Sequence, residues 1–175
     1  MGGKVGNFAH RLKIQNDINT DYVISGRYKF KIQDEKELAK YIFADLEEDF
    51  YKKIKLGDFL VSGENFGCGS SREQAPVALK ASGLQAVIAK SFARIFYRNA
   101  FNVGLCLLEC ETNYIDDMDE LEVDFEKNII KNISKGVNIE FKPIPEIMKN
   151  FLDKGGVVEY FKEYGTFKEN VGGAV

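Results

Sequence analysis

One histidine and three cysteines are all the imidazole and thiol this 175-residue chain contains. His10 stands near the N-terminus and Cys68, Cys106 and Cys110 are scattered, so the sequence offers no credible set of zinc ligands. An odd number of cysteines argues against a disulfide framework and for a reducing compartment. Cys106 and Cys110, four apart in an apolar run, share one face of a strand and read as small buried hydrophobes. Long apolar runs are missing too. No stretch approaches the roughly 18 residues that span a bilayer, and Met1–Asn7 has no signal-peptide core. The expectation is a cytoplasmic chain with no membrane role.

What is present suits a soluble α/β protein of one domain, with a core over about 5–164 and a loose tail from Gly165 to Val175. The formal net charge is -3. Between Ser62 and Asn102, however, five basic residues (Arg72, Lys80, Lys90, Arg94, Arg98) face two acidic ones (Glu64, Glu73). A positive region on an acidic chain gathers a small anion, whereas nucleic acid calls for a broad basic face. A carboxylate or phosphate ligand is expected, and nucleic acid is not.

That region is built around Gly63-Glu64-Asn65-Phe66-Gly67-Cys68-Gly69-Ser70-Ser71-Arg72-Glu73-Gln74. Its glycines permit positive φ and close backbone approach, and they lead into two hydroxyls and an arginine at an expected helix start. Strand, glycine loop and helix in succession is the general arrangement for holding an anion at a helix N-terminus. Backbone N–H groups of the glycine loop and the helix start are candidates to hold such an anion. Arg72 offers a planar, bidentate match to carboxylate.

Around the loop, Arg11–Gln15 alternates like a first strand and Tyr22–Ser25 reads as a short extended piece. The polar turn Asn16–Asp21 between them lacks the central glycine and terminal glutamate of a calcium-binding loop. Leu38, Tyr41, Ile42, Leu46 and Phe50 make one face of a helix from Asp34 onward. Phe59–Val61 delivers the chain into the loop. The start of the next helix stays open, since Ser70 with Glu73 and Ser71 with Gln74 both have capping-box spacing while Pro76 prefers the first helical position. Gly83 ends that helix. Gln85–Lys90 is a buried strand, and Ser91 caps a helix carrying Phe92, Ile95, Phe96 and Asn99 that stops near Gly104. Beyond Leu105, three alternating segments at 121–125, 128–132 and 137–141 predict an antiparallel meander. Two helices follow, the first opened by Pro145 and broken from the second by Gly155 and Gly156.

Several chemistries are excluded by spacing. A nucleotide P-loop needs a lysine before its hydroxyl, where Gly69 stands, and the glycines at 63, 67 and 69 do not match a dinucleotide fingerprint. A hydrolase elbow is absent. A non-catalytic anion-binding or interaction domain remains the alternative of a different class, although it leaves two serines and an arginine at a helix start unexplained.

Asn65–Glu73 and Ser91–Asn99 resemble the signature of the 3-isopropylmalate dehydratase small subunits of the aconitase superfamily. Asp17-Ile18-Asn19-Thr20-Asp21 with Gly26-Arg27-Tyr28 is similar to that family's N-terminal motif. The resemblance implies a single swivelling β/β/α domain, like the last domain of aconitase, that closes over a separate large subunit. It also implies dehydration and rehydration of a hydroxy-di- or tricarboxylate, with a four-iron, four-sulfur cluster on the large subunit and none on this chain. Ser70 then matches the base that takes a proton from carbon, its alkoxide expected to be stabilised by backbone N–H groups of Gly67, Gly69 and the helix start, while Ser71, Arg72 and Arg27 bind substrate and Gly67, Cys68 and Gly69 shape the loop. Cys68 carries no cluster role, and Arg94 and Arg98 read chiefly as salt-bridged or supporting side chains. Tyr28, Lys29, Phe30 and Lys31 occupy the segment expected to choose the substrate. Phe30 suits the isopropyl group of isopropylmalate, whereas Lys29 or Lys31 suits a further carboxylate; homoaconitase and dimethylmalate-type small subunits share the core motifs.

Overall fold

The computed structural model describes residues 5–70 and 72–166. Seven strands, β1 (Val5–Arg11), β2 (Phe59–Val61), β3 (Ala86–Ala89), β4 (Cys106–Glu109), β5 (Glu120–Asp124), β6 (Ile129–Asn132) and β7 (Val137–Glu140), join in the order β4-β3-β2-β1-β5-β6-β7. β1 divides its length between two neighbours. Ala9–Arg11 pairs in parallel with Phe59–Val61, and Val5–Phe8 pairs antiparallel with Glu120–Val123. One half of the sheet is therefore parallel and the other is the antiparallel meander that the alternating segments predict. β2 and β3 are buried along their whole length, as parallel strands covered on both faces must be, while β5 to β7 bury every second residue.

The helices are α1 (Thr20–Val23), α2 (Gly26–Lys29), α3 (Glu35–Ala39), α4 (Phe50–Lys53), α5 (Gln74–Ala81), α6 (Arg94–Val103), α7 (Glu146–Lys154) and α8 (Val157–Tyr164). Gly83 and Gly104 take the left-handed conformation just beyond α5 and α6, at φ 91° and 79°. Among the described residues no helix is long and apolar enough to cross a membrane. Of the expected tail, residues 167–175 lie outside the described ones.

Five local expectations give way to the bonding observed. The first strand ends at Arg11, and the following segment ties to the glycine loop instead, with the Gln15 carbonyl accepting from Gly63 N–H (2.7 Å) and Ser62 Oγ (2.6 Å). Residues 20–23 are helical because Asn19 Oδ1 accepts from Tyr22 N–H at 2.8 Å, closing a turn where an extended piece is expected. The helix from Asp34 is broken: Phe43 N–H donates to the Val23 carbonyl (3.0 Å), and Phe43 and Asp49 take positive φ. The periodic residues Leu38, Ile42 and Phe50 are buried all the same. Finally, α5 begins at Gln74 with no side-chain cap, which puts Pro76 third in the helix and Ser70 four residues before it. Ser91 does not cap α6 either; its Oγ accepts from Asn65 N–H at 2.8 Å.

His10 and Asp58 form a buried pair at the base of this arrangement, Nε2 to Oδ2 2.7 Å. Asp58 also accepts from Lys55 N–H (2.8 Å) and Phe8 N–H (3.1 Å), so it ties β1 to the turn before β2.

Candidate active site

Parallel strands end their loops on one side of a sheet, and ligands of α/β folds gather there. Here the segments leaving β1, β2 and β3 meet at that side, with the glycine loop in the middle. Toward the β1 segment, Asp17 N–H donates to Glu64, Gly67 N–H to Ile18 (2.7 Å) and Thr20 N–H to Cys68 (3.0 Å). Toward the β3 segment, Phe66 N–H donates to Ser91 (3.0 Å), while Ala93 N–H returns to Phe66 (2.9 Å). Asn65 joins in, its Nδ2 donating to Asp17 Oδ1 at 2.7 Å. The loop is thus clamped on both edges, which holds Ser70 at a defined place although it lies in no regular element.

Gly67 shows why the loop needs glycine. Its φ is 80°, and a Cβ built there would stand 2.1 Å from the Phe96 ring. Phe96 is itself buried and meets Phe66 edge to face, with ring centroids 5.3 Å apart, so the loop rests on α6. Gly69 is also left-handed at φ 87°.

Ser70 is exposed at the end of this loop. Its carbonyl accepts from Thr20 Oγ1 at 2.8 Å, and its Oγ accepts from Arg72 Nε at 3.0 Å. A cationic donor on a hydroxyl oxygen favours its deprotonated form, the kind of stabilisation expected of the loop backbone. Gly67 N–H is taken by Ile18, and the start of α5 is four residues away. Arg72 Nη1 forms an ion pair with Asp21; it is shielded from solvent and lies off the line of a hydrogen bond.

These groups line a cleft of about 560 Å³ together with Thr20, Asn65, Gly67 and Gly69. Its other wall is the N-terminal half of α6: Arg94, Ile95, Phe96, Arg98 and Asn99. No acidic side chain lines it among the described residues. Arg94 and Arg98, expected chiefly as salt-bridged or supporting side chains, meet no acidic side chain among the described residues and line the cleft. The exposed α6 wall, and with it Thr20 and Asn65, was not singled out for substrate contact by sequence reasoning. The signal for the wall is its spacing, since residues 94, 95, 98 and 99 complement the buried positions Phe96, Ala100 and Phe101.

The remaining sequence-derived positions spread out. Arg27 pairs with Asp45 and lies over the Tyr28 ring, its guanidinium 4.9 Å from the centroid, and it is absent from the cleft wall. Tyr28 stacks on Tyr41, centroids 4.3 Å apart, as a packing element. Phe30 is 80% exposed and Lys31 is exposed. A Cβ placed on Gly26 would stand 3.7 Å from Arg72 Nη1 and 3.9 Å from the Phe30 ring, which puts this segment beside the arginine. Ser71 and the side chain of Lys29 lie outside the described residues. His10 is held by Asp58 and does not line the cleft.

The thiols do not fit a cluster. Cys68 is part of the glycine loop, Cys106 lies within β4 and Cys110 follows it in a bridge to Phe141. Burial pushes the Cys106 and Cys110 thiols up to about 12, against the thiolate a metal requires, and burial also raises Cys68. Among the described residues no three of His, Cys, Asp and Glu converge as metal ligands.

Residues 6–113 match the family of the aconitase C-terminal domain. The 3-isopropylmalate dehydratase small subunit 1 of Archaeoglobus fulgidus is 56% identical over 86% of this chain and 93% of its own length. The corresponding small subunit of Caldicellulosiruptor saccharolyticus is 52% identical over 86% and 87%. The crystal structure of 3-isopropylmalate dehydratase from Methanocaldococcus jannaschii superposes with a TM-score of 0.88 at 44% identity, covering 93% of this chain and 96% of that one.

Proposed function

We infer function from a chain that belongs to the family of 3-isopropylmalate dehydratase small subunits, on the aconitase C-terminal domain. It is the small subunit of a hydro-lyase of leucine biosynthesis that interconverts 2-isopropylmalate and 3-isopropylmalate, with a large subunit as partner. In that reaction a proton leaves one carbon and hydroxide its neighbour, a double bond forms, and water returns the other way round.

Within it we assign proton transfer to Ser70 and substrate binding to Arg72 and Ser71; a role for Arg27 requires that it leave Asp45, which holds it off the cleft wall. The observation that carries the assignment is the 3.0 Å hydrogen bond from Arg72 Nε to Ser70 Oγ in the cleft. As an alkoxide, Ser70 takes the proton from the carbon beside a carboxylate, and the guanidinium that stabilised the alkoxide turns to the charge developing on substrate. Arg72 has a neutral partner in Ser70 and a charged one in Asp21, so substrate carboxylate competes with Asp21 for the same guanidinium. Phe30, Lys29 and Lys31 are assigned to substrate choice, supported by the position of their segment beside Arg72. Tyr28 serves that segment by packing. We assign the four-iron, four-sulfur cluster to the large subunit and the working compartment to the cytoplasm.

The test is reconstitution with a 3-isopropylmalate dehydratase large subunit from the same organism, assayed through absorbance of the unsaturated intermediate. Each chain alone is expected to be inactive, this one colourless, and the pair active on isopropylmalate in preference to homocitrate or dimethylmalate. Preference for homocitrate would reassign the substrate. Stoichiometric iron–sulfur absorbance in this chain alone would overturn the division between subunits.

A further inference from the structure

The α6 wall of the cleft carries charge that no described acidic side chain balances. Arg94 and Arg98 stand four residues apart, both exposed, in the first half of the helix. Like charges at that spacing repel, and the positive end of the helix dipole adds to the cost. The other three arginines are engaged. Arg11 donates to the Thr112 carbonyl at 2.8 Å, Arg27 meets Asp45, and Arg72 meets Ser70 and Asp21. Arg94 and Arg98 have no acidic partner among the described residues, yet they share a cleft with Ser70 and Arg72 that no described carboxylate lines.

We propose that Arg94 and Arg98 form a second carboxylate site, so that a dicarboxylate lies across the cleft with one carboxylate at Arg72 and the other at the α6 pair. The proposal rests on reading the cleft as a hydroxy-dicarboxylate site and adds the residues that hold its second charge. A guanidinium offers its donors in a planar fork matched to carboxylate, and two of them on one helix face present such forks along a single wall. An anion bound there removes the repulsion between the arginines, and so gains more than it would at an isolated cation. The arrangement makes the cleft select two charges, since a monocarboxylate satisfies Arg72 alone and leaves the α6 pair unrelieved.

The experiment uses the two-subunit complex at saturating large subunit, with Arg94→Gln, Arg98→Gln and the double variant. The KM for isopropylmalate is expected to rise about ten- to a hundred-fold in the double variant, as loss of a charge-assisted contact requires, with thermal unfolding unchanged. Calorimetry with isopropylsuccinate and its monoamide supplies a readout independent of turnover. The parent complex is expected to prefer the dicarboxylate, and the double variant to lose most of that preference. A KM within about twofold of the parent, with affinity for the large subunit weakened, would overturn the proposal and make the arginines a subunit contact. Absence of hydro-lyase activity in the parent would instead fail the functional reading, and the calorimetric comparison would still decide where the second carboxylate binds.

Discussion

Arg72 donates from Nε to the Oγ of Ser70, two residues before it, at 3.0 Å, while its Nη1 faces Asp21. One guanidinium thus holds a hydroxyl and a carboxylate together at the mouth of the cleft, and the two contacts have different consequences for catalysis. Ser70→Ala in the reconstituted complex is expected to cut kcat by about a hundred- to ten-thousand-fold with KM little changed, the loss typical of a positioned base. Arg72→Lys keeps the charge but loses the fork, so KM rises and kcat falls together. Steady-state kinetics check both. Turnover by Ser70→Ala near the parent rate would remove the serine from proton transfer.

Gly67→Ala strains the loop twice, through a φ of 80° and through a Cβ 2.1 Å from the Phe96 ring. Overpacking of this kind costs about 1–3 kcal/mol, and a left-handed alanine adds about 1 kcal/mol. Denaturant unfolding is expected to show the combined loss. Adding Phe96→Ala removes the clash but keeps the φ strain, so the second substitution costs less in the Gly67→Ala background than in the parent. Equal costs in both backgrounds would show that the ring does not hold the loop.

Asp58 is 2% exposed and takes three donors, His10 Nε2 and the N–H groups of Phe8 and Lys55. Asp58→Ala leaves all three buried or half-buried without an acceptor and is expected to lower stability by about 3 kcal/mol or more. The pair does not line the cleft, so the folded fraction should retain the parent kcat per reconstituted complex. A large kcat loss in fully folded variant would tie this pair to the chemistry.

Asp119 titrates below the ordinary carboxylate value of 3.8. Burial pushes it upward, but the Asp116 N–H, the Asn132 amide and Lys135 together outweigh burial. A carboxylate depressed in the folded state contributes stability that is present above its unfolded value and lost as pH falls through the folded one. Thermal unfolding from pH 6 downward is therefore expected to show an acid-side loss, beginning near pH 4, that is smaller in Asp119→Asn. An identical acid profile in the two proteins would discount this carboxylate.

The linear sequence by itself determined the parts whose causes are local. Glycine loop, hydroxyls and arginine are contiguous, the buried strands at 59–61 and 86–89 are continuous apolar runs, and the meander alternates between short turns. Gly83 and Gly104 mark their helix ends because the left-handed conformation there is a property of the residue itself. Tertiary structure decided what depends on partners distant in the chain. The helix expected over 34–50 breaks because Phe43 spends its N–H on Val23, a contact no window of sequence contains. Gly67 cannot serve the serine oxygen because Ile18 takes its N–H, and Arg27 is drawn to Asp45. Most consequentially, Arg94 and Arg98 read along the chain as part of a positive region and chiefly as salt-bridged or supporting side chains, and only the meeting of α6 with the glycine loop puts both on the same cleft as Ser70. Residue type sets what chemistry is available, whereas the crossing of parallel strands and helices sets which groups stand close enough to share one ligand.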